Sequence, residues 1–415
     1  VPGFSFAKGN ARKLATLPLY ALGAAASLAV PRSSRRWVFG SGVGLGEGSL
    51  ALFLLARAAD PSLTLVWLSR NDADLAAASA RGIPTVRRDS FRGLLTTLRS
   101  GVVVVTHGFG DVNRYGTRGA FVVQLWHGVP LKLVQLDSPA TLAISVPVVG
   151  RQVRALLFRF YRHAYRAISL MPAASELVAD RLRSAFRLPP DRVVASGDPR
   201  DDVLCAGTES ERVSRARDLL RDGVDVLAPR VLLYAPTWRD GAADPGVPAV
   251  EDWREIDAWL RAADATLVLR PHPLGLGGYA AFARSSDRVQ LLTADHQPDI
   301  TPVLPAVDLL ITDYSSIAFD YSLTGGPILF IAPDEDAYVL SRGLYEPYRD
   351  FSGGRAVRTW REVLAQLVRY DRDATWARTI REHSVLLRDR HFAHRDGRNT
   401  ERVYAEIVSR MRAHR

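Results

Sequence analysis

The sequence predicts an α/β protein built on doubly wound parallel sheets, and three observations predict it. Short apolar runs of strand length recur along the chain. Helical stretches rich in Ala and Leu separate them. A linker-like helical region over 207–221 divides one such series from a second. The 415 residues suffice for two or three domains, at roughly 150 residues per domain.

In chain order, strands are expected at Trp37–Gly40, Leu63–Leu68, Val102–Thr106, Phe121–Leu125, Ala167–Leu170 and Val193–Ser196. Helices such as Gly48–Ala59 and Leu75–Arg81 lie between them. The second series expects strands at Val231–Ala235, Thr266–Leu269, Val289–Leu292, Leu309–Thr312 and Ile328–Ile331, with helices such as Trp253–Ala263 and Ser316–Leu323 between. Two α/β domains of similar size, facing each other across a cleft, are the expectation. Their bounds are set at 36–205 and 206–390, after an N-terminal segment 1–35 and before a C-terminal helix 391–415.

Hydrophobic residues make up 47% and charged residues 24%, the balance of a folded chain and not of a disordered one. A single cysteine, Cys205, excludes a disulfide framework and a cysteine-built zinc or iron–sulfur site. Of the 54 basic residues only Lys8, Lys13 and Lys132 are lysines. The arginine excess fits a GC-rich genome and says little about function. The net charge of +10 favours an anionic partner: a membrane surface, nucleic acid or a phosphorylated substrate.

Lys8, Arg12 and Lys13 precede an apolar run from Leu14 to Val30, interrupted by Pro18 and Gly23 and followed by Arg32, Arg35 and Arg36. Such a run leaves four readings open: a spanning helix at the lower limit of length, an interfacial anchor, a helix packed on the body, or a cleaved signal. A second stretch, Val153–Ile168, keeps its apolar residues on one helical face. Arg151, Arg154, Arg159, Arg162 and Arg166 lie off that face. It reads as a membrane-contacting amphipathic helix or as a helix packed on the sheet with a solvated basic side.

Three segments carry chemistry, each at or just after a strand end, where open α/β sheets bind ligands. In Trp126-His127-Gly128, His127 can accept a proton near neutral pH, its unperturbed pKa being about 6.5. Lys132, five residues on, offers a point charge for a phosphate. Thr237, Trp238 and Arg239 follow one strand, and Arg270-Pro271-His272-Pro273 follows the next. Arg270 supplies a planar fork for phosphate, and a protonated His272 adds a donor. In Thr312-Asp313-Tyr314-Ser315-Ser316, the serines are placed to cap a helix whose N-terminus would hold phosphate, with Asp320 one turn in to reach a polyol or ribose hydroxyl. The glycine-rich run 40–48 contains neither G-x-G-x-x-G nor a P-loop. Gly42 and Gly44 read as a backbone-lined acceptor-side loop or a plain strand-to-helix turn.

Together these residues resemble the CDP-glycerol glycerophosphotransferases, which prime and polymerise wall teichoic acids and related capsule polymers. The resemblance rests on WHGVPLK at 126–132 with Asp137 beyond it, GDPRDD at 197–202, LYAPTWRD at 233–240, RPHP at 270–273, TDYSSIAFDY at 312–321 and HRDGRNTERV at 394–403. It covers about 105 to 405. Val129 stands where the family usually has Thr, and Asp201-Asp202 where it has Asn, which touches acceptor identity more than donor chemistry. The length is that of the compact members, which leans towards single transfer.

The resemblance implies a GT-B-like fold of two Rossmann-type domains, peripheral on the cytoplasmic face of the cell membrane. The second domain would bind CDP-glycerol or another CDP-polyol, and the first a lipid-linked (prenyl pyrophosphate) saccharide or polyol phosphate acceptor. His127 would be the base and His272, with Arg270, would stabilise charge on the pyrophosphate. Thr237, Trp238, Arg239, Thr312, Asp313, Ser315, Ser316 and Asp320 would bind the donor; Gly42, Gly44, Gly128 and Lys132 would lie on the acceptor or phosphate side. No cofactor, metal or nucleic acid is expected. Two other readings stay open: a glycosyltransferase of the same fold using a nucleotide sugar, and a non-enzymatic binder of anionic lipid or nucleic acid.

Overall fold

A computed structural model describes residues 16–142, 150–239, 243–272 and 278–413. The chain forms two compact units. Of the described residues, the first takes in 16–128, 134–142, 150–202 and 393–413; the second takes in 129–133, 203–239, 243–272 and 278–392.

The first unit holds a seven-stranded sheet: β1 (Ser33–Phe39), β2 (Thr64–Ser69), β3 (Thr85–Arg87), β4 (Ser100–Val105), β5 (Phe121–Gln124), β6 (Ile168–Pro172) and β7 (Val193–Val194). Their order is β3-β2-β1-β4-β5-β6-β7, and every pairing is parallel. Such strands are covered on both faces, so they are apolar runs and not alternating ones. Val102, Val103 and Val104 in β4 and Val122 and Val123 in β5 are all fully buried. The three-residue edge strand β3 was not expected; Thr85-Val86-Arg87 is too short and mixed to stand out.

The second unit holds β8 (Arg230–Ala235), β9 (Ala265–Leu269), β10 (Val289–Leu291), β11 (Leu309–Thr312) and β12 (Ile328–Phe330), in the order β10-β9-β8-β11-β12, again all parallel. Its core sets Tyr234, Leu267 and Ile311 from the sheet against Trp253 and Leu260 of helix Val250–Ala262 and Trp360 and Val363 of helix Trp360–Arg372. The fold is thus the α/β class with parallel sheets that the sequence predicts.

The last helix, Asn399–Ala413, belongs to the first unit. Val403 and Ile407 are fully buried in the same cluster as Trp37, Phe39, Leu52 and Trp67. Asp202 fixes its start. That carboxylate accepts from the backbone N–H of Asn399 (2.8 Å) and Thr400 (2.7 Å) and from the Thr400 hydroxyl (2.6 Å). Anions suit a helix N-terminus, where backbone N–H groups lack intrahelical partners. A Cβ on Gly197, at φ +85°, would meet the Asn399 side chain at 2.1 Å. The GDPRDD and HRDGRNTERV segments are therefore a clasp between two parts of one unit.

Of the N-terminal segment, Lys8, Arg12, Lys13 and Leu14 lie outside the described residues. Helix Leu17–Ala29 runs through both supposed breaks. Pro18 sits in its first turn, where no N–H is needed, and Gly23 is buried where a Cβ would meet the Tyr115 carbonyl oxygen at 2.1 Å. Thirteen residues rise about 20 Å, short of a hydrocarbon core of about 30 Å. Among the described residues no helix is long and apolar enough to cross a membrane. Tyr20 packs edge-on to Tyr115 and to Phe160 of helix Gly150–Tyr165, so one side of this helix lies on the first unit. Its Leu22 and Leu28 stay exposed. Arg32 is not part of a basic flank: its guanidinium donates to the carbonyls of Thr97, Ser100, Gly116 and Arg118, and burial lowers its pKa to about 10.

Candidate functional site

The first unit places His127 just beyond the carboxyl end of β5. The turn that presents it is strained. Trp126 has φ +65° and Gly128 φ +111°, the left-handed region that a bulky residue occupies only when its surroundings force it. Trp126 is held there by an edge-on contact with Phe186 and by its N–H bonding the Gln124 side chain at 3.2 Å. The His127 ring is left half-buried, with Nδ1 3.5 Å from the Thr106 carbonyl oxygen. A proton on Nδ1 leaves the lone pair on Nε2, the form a general base requires.

Two residues that sequence reasoning passed over complete this cluster. His107 follows β4 and stacks on His127 with centroids 4.1 Å apart and planes within 1°. Its Nδ1 is 2.9 Å from the Thr106 hydroxyl and 3.7 Å from Glu47 Oε2. Glu47, also strained at φ +55°, has a buried side chain that accepts from Ser41 Oγ at 2.7 Å. The signal was available: Thr106-His107-Gly108 repeats, one strand earlier, the strand–His–Gly arrangement of 125–128. Gly42 and Gly44 lie in the loop after β1. A Cβ on Gly42 would press into the His107 ring at 2.5 Å, and Gly44, at φ +105°, faces Asp74. Glu47 puts a carboxylate at the first turn of helix Glu47–Ala59. Asp137 accepts from the Ser184 hydroxyl at 3.0 Å and pairs with Arg187, so it ties its own segment to helix Glu176–Phe186.

The second unit gathers the other residues at the carboxyl ends of β8, β9 and β11. Lys132 is among them. Residues 129–133 pair with 343–345 through the Lys132–Leu344 bridge and the Leu133 N–H to Gly343 carbonyl bond, and Val129 and Leu131 are buried. Burial lowers the Lys132 pKa to about 8; the Asp313 charge works against this, and those of Arg342 and Arg239 with it. Arg270 is fixed by its guanidinium bonding the Leu292 (3.2 Å) and Pro298 (3.3 Å) carbonyls, and burial lowers its pKa to about 10. His272 stacks on Trp238 at 5.8 Å. Its pKa is lowered, first by the surrounding protein mass and then by the charges of Lys132 and Arg270. More than a third of the residue is open to solvent, which tempers the first cause. The direction favours the neutral imidazole when no anion stands beside it. Pro273 and Asp240 lie outside the described residues.

Several expected donor contacts turn out to be the frame beneath the site. Arg239 is 7% exposed and pairs bidentately with Asp334 (2.8 and 2.9 Å) while bonding Asp313 (2.9 Å) and the Thr237 carbonyl (2.5 Å). It lies over the rings of Tyr314 and Tyr338, which stack at 4.0 Å. Burial would lower the Arg239 pKa, but the two aspartates outweigh it and raise it. Its charge is thus already satisfied. Asp313 accepts from the Thr237 and Tyr314 N–H groups, so it shapes the turn after β11. Thr312 is fully buried and its hydroxyl bonds the Ala235 carbonyl at 2.7 Å, joining β11 to β8. Asp320 is 3% exposed, inside the unit and not on an accessible surface. Ser316 makes no side-chain cap to helix Ile317–Ser322; it is already helical in conformation. Ser315 and Ser316 remain half-exposed. The Thr237 hydroxyl is buried and makes no hydrogen bond among the described residues. Asp334 and Tyr338 gave no sequence signal; they are set among ordinary helix-start and helix residues.

Comparison with known proteins follows the same lines. Residues 26–409 match the family described as CDP-glycerol:poly(glycerophosphate) glycerophosphotransferase. The teichoic acid ribitol-phosphate polymerase TarK of Staphylococcus aureus is 26% identical over 293 residues, 70% of this chain and 52% of that protein. The teichoic acid glycerol-phosphate transferase of the same species is 28% identical over 262 residues, 61% of this chain and 62% of the relative. The chain thus spans about half the length of TarK. Among solved structures, the wall teichoic acid polymerase TagF shares the fold, with a TM-score of 0.74 at 20% identity over 99% of this chain and 98% of that one. A single-histidine variant of TagF has been solved after soaking with CDPG. With the motifs, the parallel sheets and a match across nearly the whole chain, this protein belongs to the CDP-glycerol:poly(glycerophosphate) glycerophosphotransferase family.

Proposed function

We propose that this protein transfers glycerol phosphate, or a related polyol phosphate, from a CDP-polyol to a hydroxyl of a lipid-linked acceptor and releases CMP. One observation carries the donor side: Lys132, Arg270 and His272 share one electrostatic neighbourhood beside the ends of β8 and β9. A pyrophosphate is the chemistry that such a group of donors suits. The acceptor oxygen attacks the β-phosphorus, the bond from that phosphorus to the bridging oxygen breaks, and CMP leaves with the electron pair. The acceptor proton passes to His127, worth about 10²–10⁴-fold in rate. Lys132, Arg270 and His272 meet the charge that grows on the bridging and non-bridging oxygens. Arg239, Asp313 and Asp334 hold the turns that carry Thr237, Trp238, Ser315 and Ser316 towards the nucleotide.

Two helices of the first unit support a place on the membrane surface, which we assign to the cytoplasmic face. Helix Gly150–Tyr165 exposes Arg151, Arg154, Arg159 and Arg162, with Arg166 just beyond its end, and Leu156 is 53% exposed among them. Helix Leu17–Ala29, in contact with it through Tyr20 and Phe160, exposes Leu22 and Leu28. Apolar side chains set among arginines suit an interface of anionic lipid.

The test is CMP release from CDP-glycerol and CDP-ribitol with a synthetic prenyl-linked acceptor. Acceptor-dependent release, lost in His127→Ala and in His272→Ala, is expected. Turnover of a nucleotide sugar with both CDP-polyols inert would replace this reading with glycosyl transfer.

A further inference from the structure

His107 has no part in the chemistry above, yet its ring lies coplanar on that of His127. Three features hold its ring. Thr106 contacts Nδ1, Glu47 stands 3.7 Å from the same atom, and Gly42 leaves just enough room against the ring face. The loop itself is pinned by Asp111, which is 4% exposed and accepts the N–H groups of Thr106 (2.9 Å), His107 (2.7 Å) and Gly108 (3.2 Å) through one oxygen. Ser41 and Thr106 bond each other at 3.1 Å and so link the Glu47 end of the cluster to the His107 end. An ordinary surface histidine would not need a buried carboxylate, a strained glutamate backbone and a glycine contact to fix its plane. The ring so fixed lies flat on His127.

We propose that His107 is a positioning residue for His127: the loop pinned by Asp111 and the close approach of Gly42 place the His107 ring, Thr106 and Glu47 steady it further through Nδ1, and the stacked ring sets the plane of the base. A base works only within hydrogen-bond reach of its proton, and small angular errors cost rate steeply. His127 rides on a strained turn whose own backbone does not fix the ring. The Trp126 ring tilts against His127 at 4.1 Å and the Thr106 carbonyl meets its Nδ1; the coplanar stack of His107 adds a contact over the ring face itself. This inference rests on His127 being the base, so its test is built to separate the two.

The variants are His107→Phe, which keeps a flat ring without Nδ1, and His107→Ala, which removes the ring; His127→Ala is the control. In acceptor-dependent CMP release, His107→Ala is expected to lose about 10–100-fold in kcat, with KM for CDP-glycerol within about twofold of wild type. His107→Phe should recover at least about a third of the wild-type kcat. A His107→Ala rate within about twofold of wild type overturns the proposal. So does a His107→Phe variant as impaired as His107→Ala, because the nitrogen would then matter and not the plane. If His127→Ala keeps the wild-type rate, the base assignment fails, and the ring resonances of His127 in ¹⁵N-histidine-labelled protein decide the positioning claim alone. They should move in His107→Ala and return in His107→Phe. Unmoved resonances reject it. A thermal midpoint taken on each variant identifies any that has simply lost its fold.

Discussion

Lys132 is the residue whose chemistry is most exposed to test. Burial holds its pKa near 8, so in the free protein its charge is lost as pH rises through that value. The free-enzyme groups govern kcat/KM. We therefore expect kcat/KM for CDP-glycerol to fall on an alkaline limb near pH 8, and Lys132→Arg to move that limb beyond pH 10. A limb that stays at 8 in the variant belongs to another group. The lowered pKa also affects stability: between about 8 and 10.5 the unfolded chain binds more protons at this site, so its contribution to stability rises with pH across that window. Arg239 makes the opposite kind of prediction. Its partner Asp313 would be left buried without it, and Asp334 half-buried, so Arg239→Ala should cost about 3–5 kcal/mol in urea unfolding. A loss under about 1 kcal/mol would mean that the pair relaxes into solvent. These two residues show what sequence could and could not tell. The strand-end motifs singled out both, Arg239 as a donor contact and Lys132 on the acceptor or phosphate side. Which of them faces ligand and which holds the frame depends on Asp334 and Tyr338, about a hundred residues further on, and no spacing rule connects them.

At the scale of elements, most strands were legible because parallel strands buried on both faces must be continuous apolar runs. β3 was not, since three residues at a sheet edge carry little burial. The neighbours of Lys132 were not legible for a related reason. The five residues 129–133 follow β5 directly in sequence, but their backbone pairs with 343–345, and pairing partners of a short segment leave no periodicity to read. The Asp202 clasp is a case where a motif was visible and its purpose was not. Asp202→Ala removes three hydrogen bonds to one carboxylate at the start of helix Asn399–Ala413. At about 1.5–3 kcal/mol for charged hydrogen bonds that partly replace one another, the expected loss is about 2–3 kcal/mol. Hydrogen exchange should quicken first at the amides of Asn399 and Thr400. Unchanged protection there would show that water replaces the carboxylate at no cost.

For the whole molecule, the order of residues along the chain and their division between units do not coincide. The chain builds most of the first unit, lends five residues to the second, returns, builds the second, and comes back with its last helix to finish the first. Each unit nevertheless has its own buried cluster, and Ile407 from the final helix is fully buried in the first. A charge placed there without a partner is costly, by several kcal/mol. Ile407→Asp is therefore expected to quicken hydrogen exchange across β1, β2, β4 and β5 while β8, β9 and β11 keep their protection. The functional consequence should divide the same way. Because the donor group of Lys132, Arg270 and His272 lies in the second unit, CDP-glycerol binding measured by calorimetry should survive in Ile407→Asp, while acceptor-dependent CMP release, for which His127 is the proposed base, is lost. Equal loss of protection in both sheets would show that the two units unfold as one, and donor binding would then vanish together with turnover.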